Sequence, residues 1–166
     1  MATNYHVLNA KSDAKALAAM TYNGRLYPIV EILAGNQAAD VALARVDVSA
    51  EPLTALPVRV ARPGDSVSVI SHPSRRFYSM SHGIVSRYSR QDAWQNGPKV
   101  PWMAITADFA RGSSGAPVFD QAGNVCGIVS RTDSIYYDAS EKGAPTNLQM
   151  VIKNCVPAQA IIDLME

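Results

Sequence analysis

The 166-residue chain is long enough to bury a real core, and its 48% hydrophobic and 17% charged residues describe a globular protein without a long low-complexity tract. A formal net charge of +1 gives no electrostatic reason to expect nucleic acid or an anionic membrane as a partner. No apolar run approaches the roughly 18 residues that membrane insertion by a helix needs.

The chain opens Met1-Ala2-Thr3-Asn4 with no basic segment leading into an apolar one, so no secretion signal is legible. Thr3-Asn4-Tyr5-His6-Val7-Leu8 carries the first of three histidines; the others are His72 and His82. Lys11 to Ala19 is alanine-rich and reads as a turn of helix or a loop leading into a strand. After the Asn23-Gly24 turn, Arg25 to Leu33 alternates and is β-branched enough for a strand. Asp40 stands at the entrance of a second apolar run, Val41 to Val46. Glu51 to Pro57 holds two prolines and little periodicity, which suits a connection. Gly64-Asp65-Ser66 precedes an alternating strand, Val67 to His72, that ends at Pro73. Gln91 to Lys99 reads as a surface turn or loop, and Trp102 to Thr106 as a strand.

The most informative stretch follows: Arg111-Gly112-Ser113-Ser114-Gly115-Ala116-Pro117-Val118. Val118-Phe119, the turn Asp120 to Asn124 and the strand Val125 to Ser130 then form a hairpin that sets the octet at a strand entrance. A small-residue turn with no task is the bland account of the octet alone. The chemical account is that a serine hydroxyl is a poor nucleophile, needing a base for its proton and donors for the oxyanion it creates. Gly112, without a Cβ, can turn its N–H into the same space as that of Ser114. Leu148 to Ile152 reads as the last strand, and Pro157 to Glu166 spaces Ala158, Ile161, Ile162 and Met165 as a helix would. Cys126 and Cys155 lie in apolar segments and are expected as buried free thiols rather than a bridge.

The octet matches the G-x-S-G-x-P signature of trypsin-like serine proteases, and Ile105 to Ser130 resembles the serine-bearing segment of their bacterial HtrA-type members. Thr3 to Leu8 is similar to the T-N-x-H-V segment bearing the catalytic histidine, Asp40 to Val46 to the segment bearing the triad acid, and Met80 to Ser86, within Phe77 to Arg90, to the strand pair that follows the S-H-P loop. The resemblance implies an all-β fold of two antiparallel barrels: residues 1–57 in a first, incomplete barrel with His6 and Asp40, and residues 58–166 in a second with Ser114. It implies a short C-terminal helix, a catalytic triad of His6, Asp40 and Ser114, and an oxyanion hole from the N–H groups of Gly112 and Ser114. His72 and His82 follow Asp40, out of the family's order, and are expected to be structural.

Ser130, Arg131 and Thr132 occupy the place where such enzymes pair an extended edge with the substrate backbone. Asp108 lies six residues before Ser114, where trypsin has the acid of its specificity pocket; it either favours a substrate Lys or Arg or has a structural role bonding loop amides. Ser113 stands where digestive-type proteases have an aspartate that pairs with a new N-terminus. It cannot make that ion pair, so other contacts must shape the oxyanion loop.

The implied activity is endopeptidase hydrolysis of a peptide or protein substrate, with no cofactor, no metal, no nucleic acid and no membrane insertion. The alternative is a catalytically inactive trypsin-like module or fragment that binds peptides or partners. An esterase of another fold fits less well, because its G-x-S-x-G elbow precedes a helix whereas Ser114 leads into a strand. Only five residues precede His6, where relatives have two strands. A truncated start, a piece from another chain and a naturally open first barrel all remain as explanations. If the parent protein carries a signal peptide, the expected compartment is periplasmic or extracellular.

Overall fold

The computed structural model describes residues 1–9, 17–138 and 144–166. Most of the alanine-rich stretch expected between Lys11 and Ala19 lies outside the described residues. In chain order the elements are β1 (Ala2–Thr3), α1 (Tyr5–Leu8), β2 (Ala18–Met20), β3 (Leu26–Asn36), β4 (Val41–Val46), β5 (Ser66–Ser71), β6 (Ser79–Asp92), β7 (Lys99–Ile105), β8 (Pro117–Phe119), β9 (Val125–Asp138), β10 (Thr146–Pro157) and α2 (Ala158–Ile162). Strands β1 to β4 form a four-stranded antiparallel sheet in the order β1-β4-β3-β2. The remaining six close into an antiparallel barrel, β10-β7-β6-β5-β8-β9. The all-β fold with one complete barrel, one open half-barrel and a short terminal helix is therefore the one expected.

Two apolar clusters explain the residue pattern. Val67 and Val69 of β5 point into the barrel with Val85, Met103, Ile105, Val118 and Val129, while Ser66 and Ser68 alternate away from it. A second cluster lies outside the barrel wall. There Val100 and Trp102 of β7, Ile128 of β9 and Val156 of β10 meet Ala39 of the turn before β4, Val41 of the open sheet and Ile161 of α2. β7 is thus covered on both faces, which is why it reads as a nearly continuous apolar run. The second cluster also clamps the open sheet onto the barrel at the two residues flanking Asp40.

Three elements differ from expectation. Phe77 to Arg90 is not a strand pair but contributes most of one 14-residue strand, β6. Gly83 in its middle makes no turn; a Cβ there would lie 2.3 Å from the Ala107 nitrogen, so the residue is small because another backbone passes close. β9 also runs to Asp138 rather than ending at Ser130, and β10 begins at Thr146 and ends at Pro157. Together they form an antiparallel ladder from Gly127↔Pro157 to Asp138↔Thr146.

Candidate active site

His6 sits on the single turn of α1, just after β1, whose two residues pair with Leu43 and Ala42 of β4. That pairing brings the start of the chain beside Asp40. The loop before β4 is held by the Asn36 side-chain oxygen, which accepts the Ala39 N–H at 3.0 Å, and leaves Asp40 with φ of 53°. Aspartate tolerates this left-handed backbone better than most residues, yet the conformation is uncommon and needs support. Asn4 supplies it: fully buried, its Nδ2–H donates to the Asp40 carbonyl at 3.1 Å.

The Asp40 carboxylate gathers three donors. The backbone N–H of His6 donates to Oδ1 at 3.1 Å, and the imidazole Nδ1–H lies 2.9 Å from Oδ1 and 3.0 Å from Oδ2. The Ser130 hydroxyl donates to Oδ2 at 2.6 Å. A carboxylate can only accept, so this contact puts the proton on Nδ1 and leaves the Nε2 lone pair free. The Asp40 side chain is 16% exposed and that of His6 53%, so the acid is enclosed while the ring opens onto a hollow lined also by Trp102 and Ser130.

Ser114 comes from the barrel and is linked to Asp40 through Ser130. The Gly115 N–H donates to the Val129 carbonyl at 3.0 Å and the Val129 N–H to the Ala116 carbonyl at 2.9 Å, stitching the serine loop to β9 one residue before Ser130. The Ser114 hydroxyl donates to the Ser130 carbonyl at 3.3 Å. Ser130 therefore touches both Asp40 and Ser114. Among the described residues the His6 ring bonds to Asp40 and not to Ser114.

The loop before the serine has a defined turn. The Ser113 N–H donates to the Ala110 carbonyl at 3.1 Å, and Gly112, third residue of the turn, has φ of +96°, the marks of a type II turn. In that geometry the Arg111 carbonyl faces out and accepts the Ser74 N–H at 2.7 Å. Across the same trans peptide the Gly112 N–H points the opposite way from that carbonyl, and Gly112 and Ser114 line one cleft. Among the described residues neither the Gly112 nor the Ser114 N–H has a hydrogen-bond partner. Two unpaired donors two residues apart are what an oxyanion needs. Ser113, buried, donates its hydroxyl to that of Ser71 at 3.0 Å, so a neutral contact anchors the loop where an ion pair was ruled out.

The other predicted residues fall as follows. Thr132 is exposed on β9, whose edge facing away from β10 has no paired strand beyond Ile128 among the described residues. Arg131 lies on the outer barrel wall: its guanidinium is 4.4 Å over the Trp102 ring, and Nη2–H donates to Gln91 Oε1 at 2.8 Å. Among the described residues the Asp108 carboxylate bonds no loop amide. Its side chain is 87% exposed and its Oδ1 is 3.2 Å from Lys153 Nζ, while its carbonyl accepts the Ser81 hydroxyl. His72 lines the cleft that contains Ser114, but its Nδ1 accepts the Tyr78 N–H at 3.0 Å and its ring packs on Phe77 and Tyr78. His82 Nδ1 is 3.1 Å from the Ser68 hydroxyl.

Asn4, the Ser130 hydroxyl and Ser74 were not singled out for these contacts in the sequence. Only Asn4 carried a signal, as part of the histidine segment. The cysteines are free and buried, with burial pushing the Cys126 thiol up to about 11 and that of Cys155 upward as well. Among the described residues no cluster of side chains could hold a metal ion, and no helix is long and apolar enough to cross a membrane.

The profile of the Trypsin-like peptidase domain matches residues 1–128. Over 133 residues the chain is 28% identical to Protease Do-like 1, chloroplastic, of Arabidopsis thaliana, covering 76% of this chain and 29% of that protein. It is 26% identical over 129 residues to the serine endoprotease DegS of Haemophilus influenzae, covering 76% of this chain and 36% of that protein. The chain thus spans about a third of the length of these curated relatives. Among solved structures, the HtrA-type protease AlgW with decapeptide aligns over 99% of this chain and 46% of its own at a TM-score of 0.72 and 22% identity. The serine endoprotease from Yersinia pestis aligns over 99% and 51% at a TM-score of 0.66 and 22% identity. Likeness at this identity shows a shared fold.

Proposed function

This chain belongs to the trypsin-like peptidase domain family, and on that premise we propose that it is a serine endopeptidase in which His6, Asp40 and Ser114 act as one unit. His6 Nε2 takes the proton of Ser114 Oγ as the hydroxyl attacks a peptide carbonyl, and the imidazolium so formed is stabilised by Asp40. The Gly112 and Ser114 N–H groups hold the oxyanion. His6 then passes the proton to the leaving amine, and in the second half-cycle it activates the water that releases the acyl group from Ser114. The cycle closes on protein groups and water. An extended substrate segment would lie along the free edge of β9 from Ser130 to Thr132, which fixes the scissile carbonyl near the nucleophile.

The observation that carries this reading is the Asp40 carboxylate, which grips His6 Nδ1 at 2.9 Å and, through Ser130, adjoins the Ser114 loop. One contact favours a second reading, a module that binds peptides without cleaving them: the Ser114 hydroxyl bonds to Ser130 and not to the imidazole. A fluorophosphonate probe separates the two. The endopeptidase predicts covalent labelling that vanishes in Ser114→Ala and falls at least a hundredfold in rate in His6→Ala. Labelling of the starting protein no faster than of Ser114→Ala would favour the binding module.

A further inference from the structure

Asp108 has the sequence position of an acid that selects cationic side chains, but its surroundings do not match that task. Lys153 lies on β10 directly opposite Thr132 of β9 in the ladder, so the two side chains share a face. Thr132 is two residues beyond Ser130 on the substrate edge. From there the Lys153 side chain, only 16% exposed, runs inward; its ammonium is 5.6 Å from the Phe109 ring centroid, donates to the Phe109 carbonyl at 3.0 Å and lies 3.2 Å from Asp108 Oδ1. The cation is therefore fixed between the edge that would hold the peptide and the loop that leads into Ser114.

We infer that Lys153 is a specificity-determining residue: by neutralising Asp108 it denies the site a preference for Lys or Arg and leaves it suited to a neutral side chain before the cut. The inference rests on the endopeptidase reading for its meaning, but its physical content is separate. Asp108 and Lys153 sum to zero charge, and a second cation that approached the carboxylate would meet an ammonium already in contact with it. The Asp108 carboxylate is itself 87% exposed, so the obstruction is electrostatic rather than steric. Removal of the charge alone, with the aliphatic stem kept over Phe109, should free Asp108 for an incoming cation.

The test uses p-aminobenzamidine, an aromatic amidinium whose fluorescence rises on binding, with every protein in a Ser114→Ala background so that catalysis plays no part. Lys153→Met is expected to bind the probe at least tenfold more tightly than the Ser114→Ala parent, Lys153→Arg to match the parent, and Lys153→Met/Asp108→Asn to lose the gain. Thermal melting identifies variants that fail to fold, and Lys153→Gln replaces Lys153→Met if that one does. No gain on removal of the charge, or a gain that survives Asp108→Asn, would overturn the inference. With Ser114 restored, the absence of hydrolysis in every variant would refute the endopeptidase reading instead, and the binding series would still decide the role of Lys153.

Discussion

Gly112→Ala probes the oxyanion loop at its most constrained point. With Gly112 at φ of +96°, a Cβ would stand 2.9 Å from the His72 carbonyl oxygen, a backbone atom that cannot swing aside. A non-glycine residue held in the left-handed region costs about 1–2 kcal/mol, and the contact adds to that. The alternative is to rotate the Arg111–Gly112 peptide out of the type II turn. That rotation takes the Arg111 carbonyl from the Ser74 N–H, a bond of 2.7 Å with a net worth of about 1 kcal/mol. Because it relieves both strain and contact, the rotated form should win, and its Gly112-position N–H then faces away from the cleft. The stability loss of roughly 1–2 kcal/mol corresponds to a melting temperature lower by about 2–8 °C in a chain of this size. Loss of one oxyanion donor should slow the reaction by about 10²–10³. The assay is the second-order rate of fluorophosphonate labelling together with thermal melting followed by circular dichroism. A folded Gly112→Ala protein that labels within threefold of the starting protein would refute the assignment of this turn as the oxyanion loop.

Ser130→Ala removes the hydroxyl that donates to Asp40 Oδ2 at 2.6 Å. A charge-assisted bond is worth about 1.5–3 kcal/mol, so kcat/KM should fall roughly ten- to hundredfold through a looser His6, with KM little changed. Steady-state hydrolysis of an unfolded protein substrate measures the split. The Cys126 thiol, raised to about 11 by burial and then by the charge of Asp120, should be only about one part in a thousand thiolate at pH 8, against about a tenth for a thiol at the ordinary value of 9.0. Ellman's reagent should therefore find both cysteines slow in the native protein and fast after denaturation. Because the folded value lies above the unfolded one, the contribution of Cys126 is fully present below pH 9 and is lost as pH rises toward 11, so melting temperature should decline across that window.

The parts of the site that the sequence disclosed are those set by local chemistry. The octet around Ser114 is legible because glycine at 112 and 115 serves backbone geometry within a few residues, and Gly112 and Gly115 do have φ of +96° and +84°. The approach of His6 to Asp40 was legible only through family resemblance, since nothing local announces a contact across 34 positions. The Ser130 hydroxyl was hidden for the same reason: its partner lies 90 positions away, and a serine at a strand edge has many ordinary uses.

The fold shows the same division. Alternation in Val67 to Ser71 marked β5, because one face is buried in the barrel. Beyond Ser130, by contrast, β9 mixes exposed and half-buried residues as far as Asp138, and no core face exists there to impose a period. Gly83 sits mid-strand in β6, and a sequence cannot distinguish a glycine that turns from one that lets a second backbone pass at close range. Asp108 was legible as a charge at a suggestive offset, while its neutralisation by Lys153, 45 positions on, depended on the register of β10.

Whether His6, Asp40 and Ser114 act as one machine is read most directly from kcat for hydrolysis of an unfolded protein by Ser114→Ala, His6→Ala and Asp40→Ala, singly and combined. If they do, Ser114→Ala and His6→Ala each fall close to the background rate, Asp40→Ala falls somewhat less far, and the triple variant is scarcely worse than Ser114→Ala alone. Losses that multiply from one variant to the next, or substantial turnover by Ser114→Ala, would show that they do not.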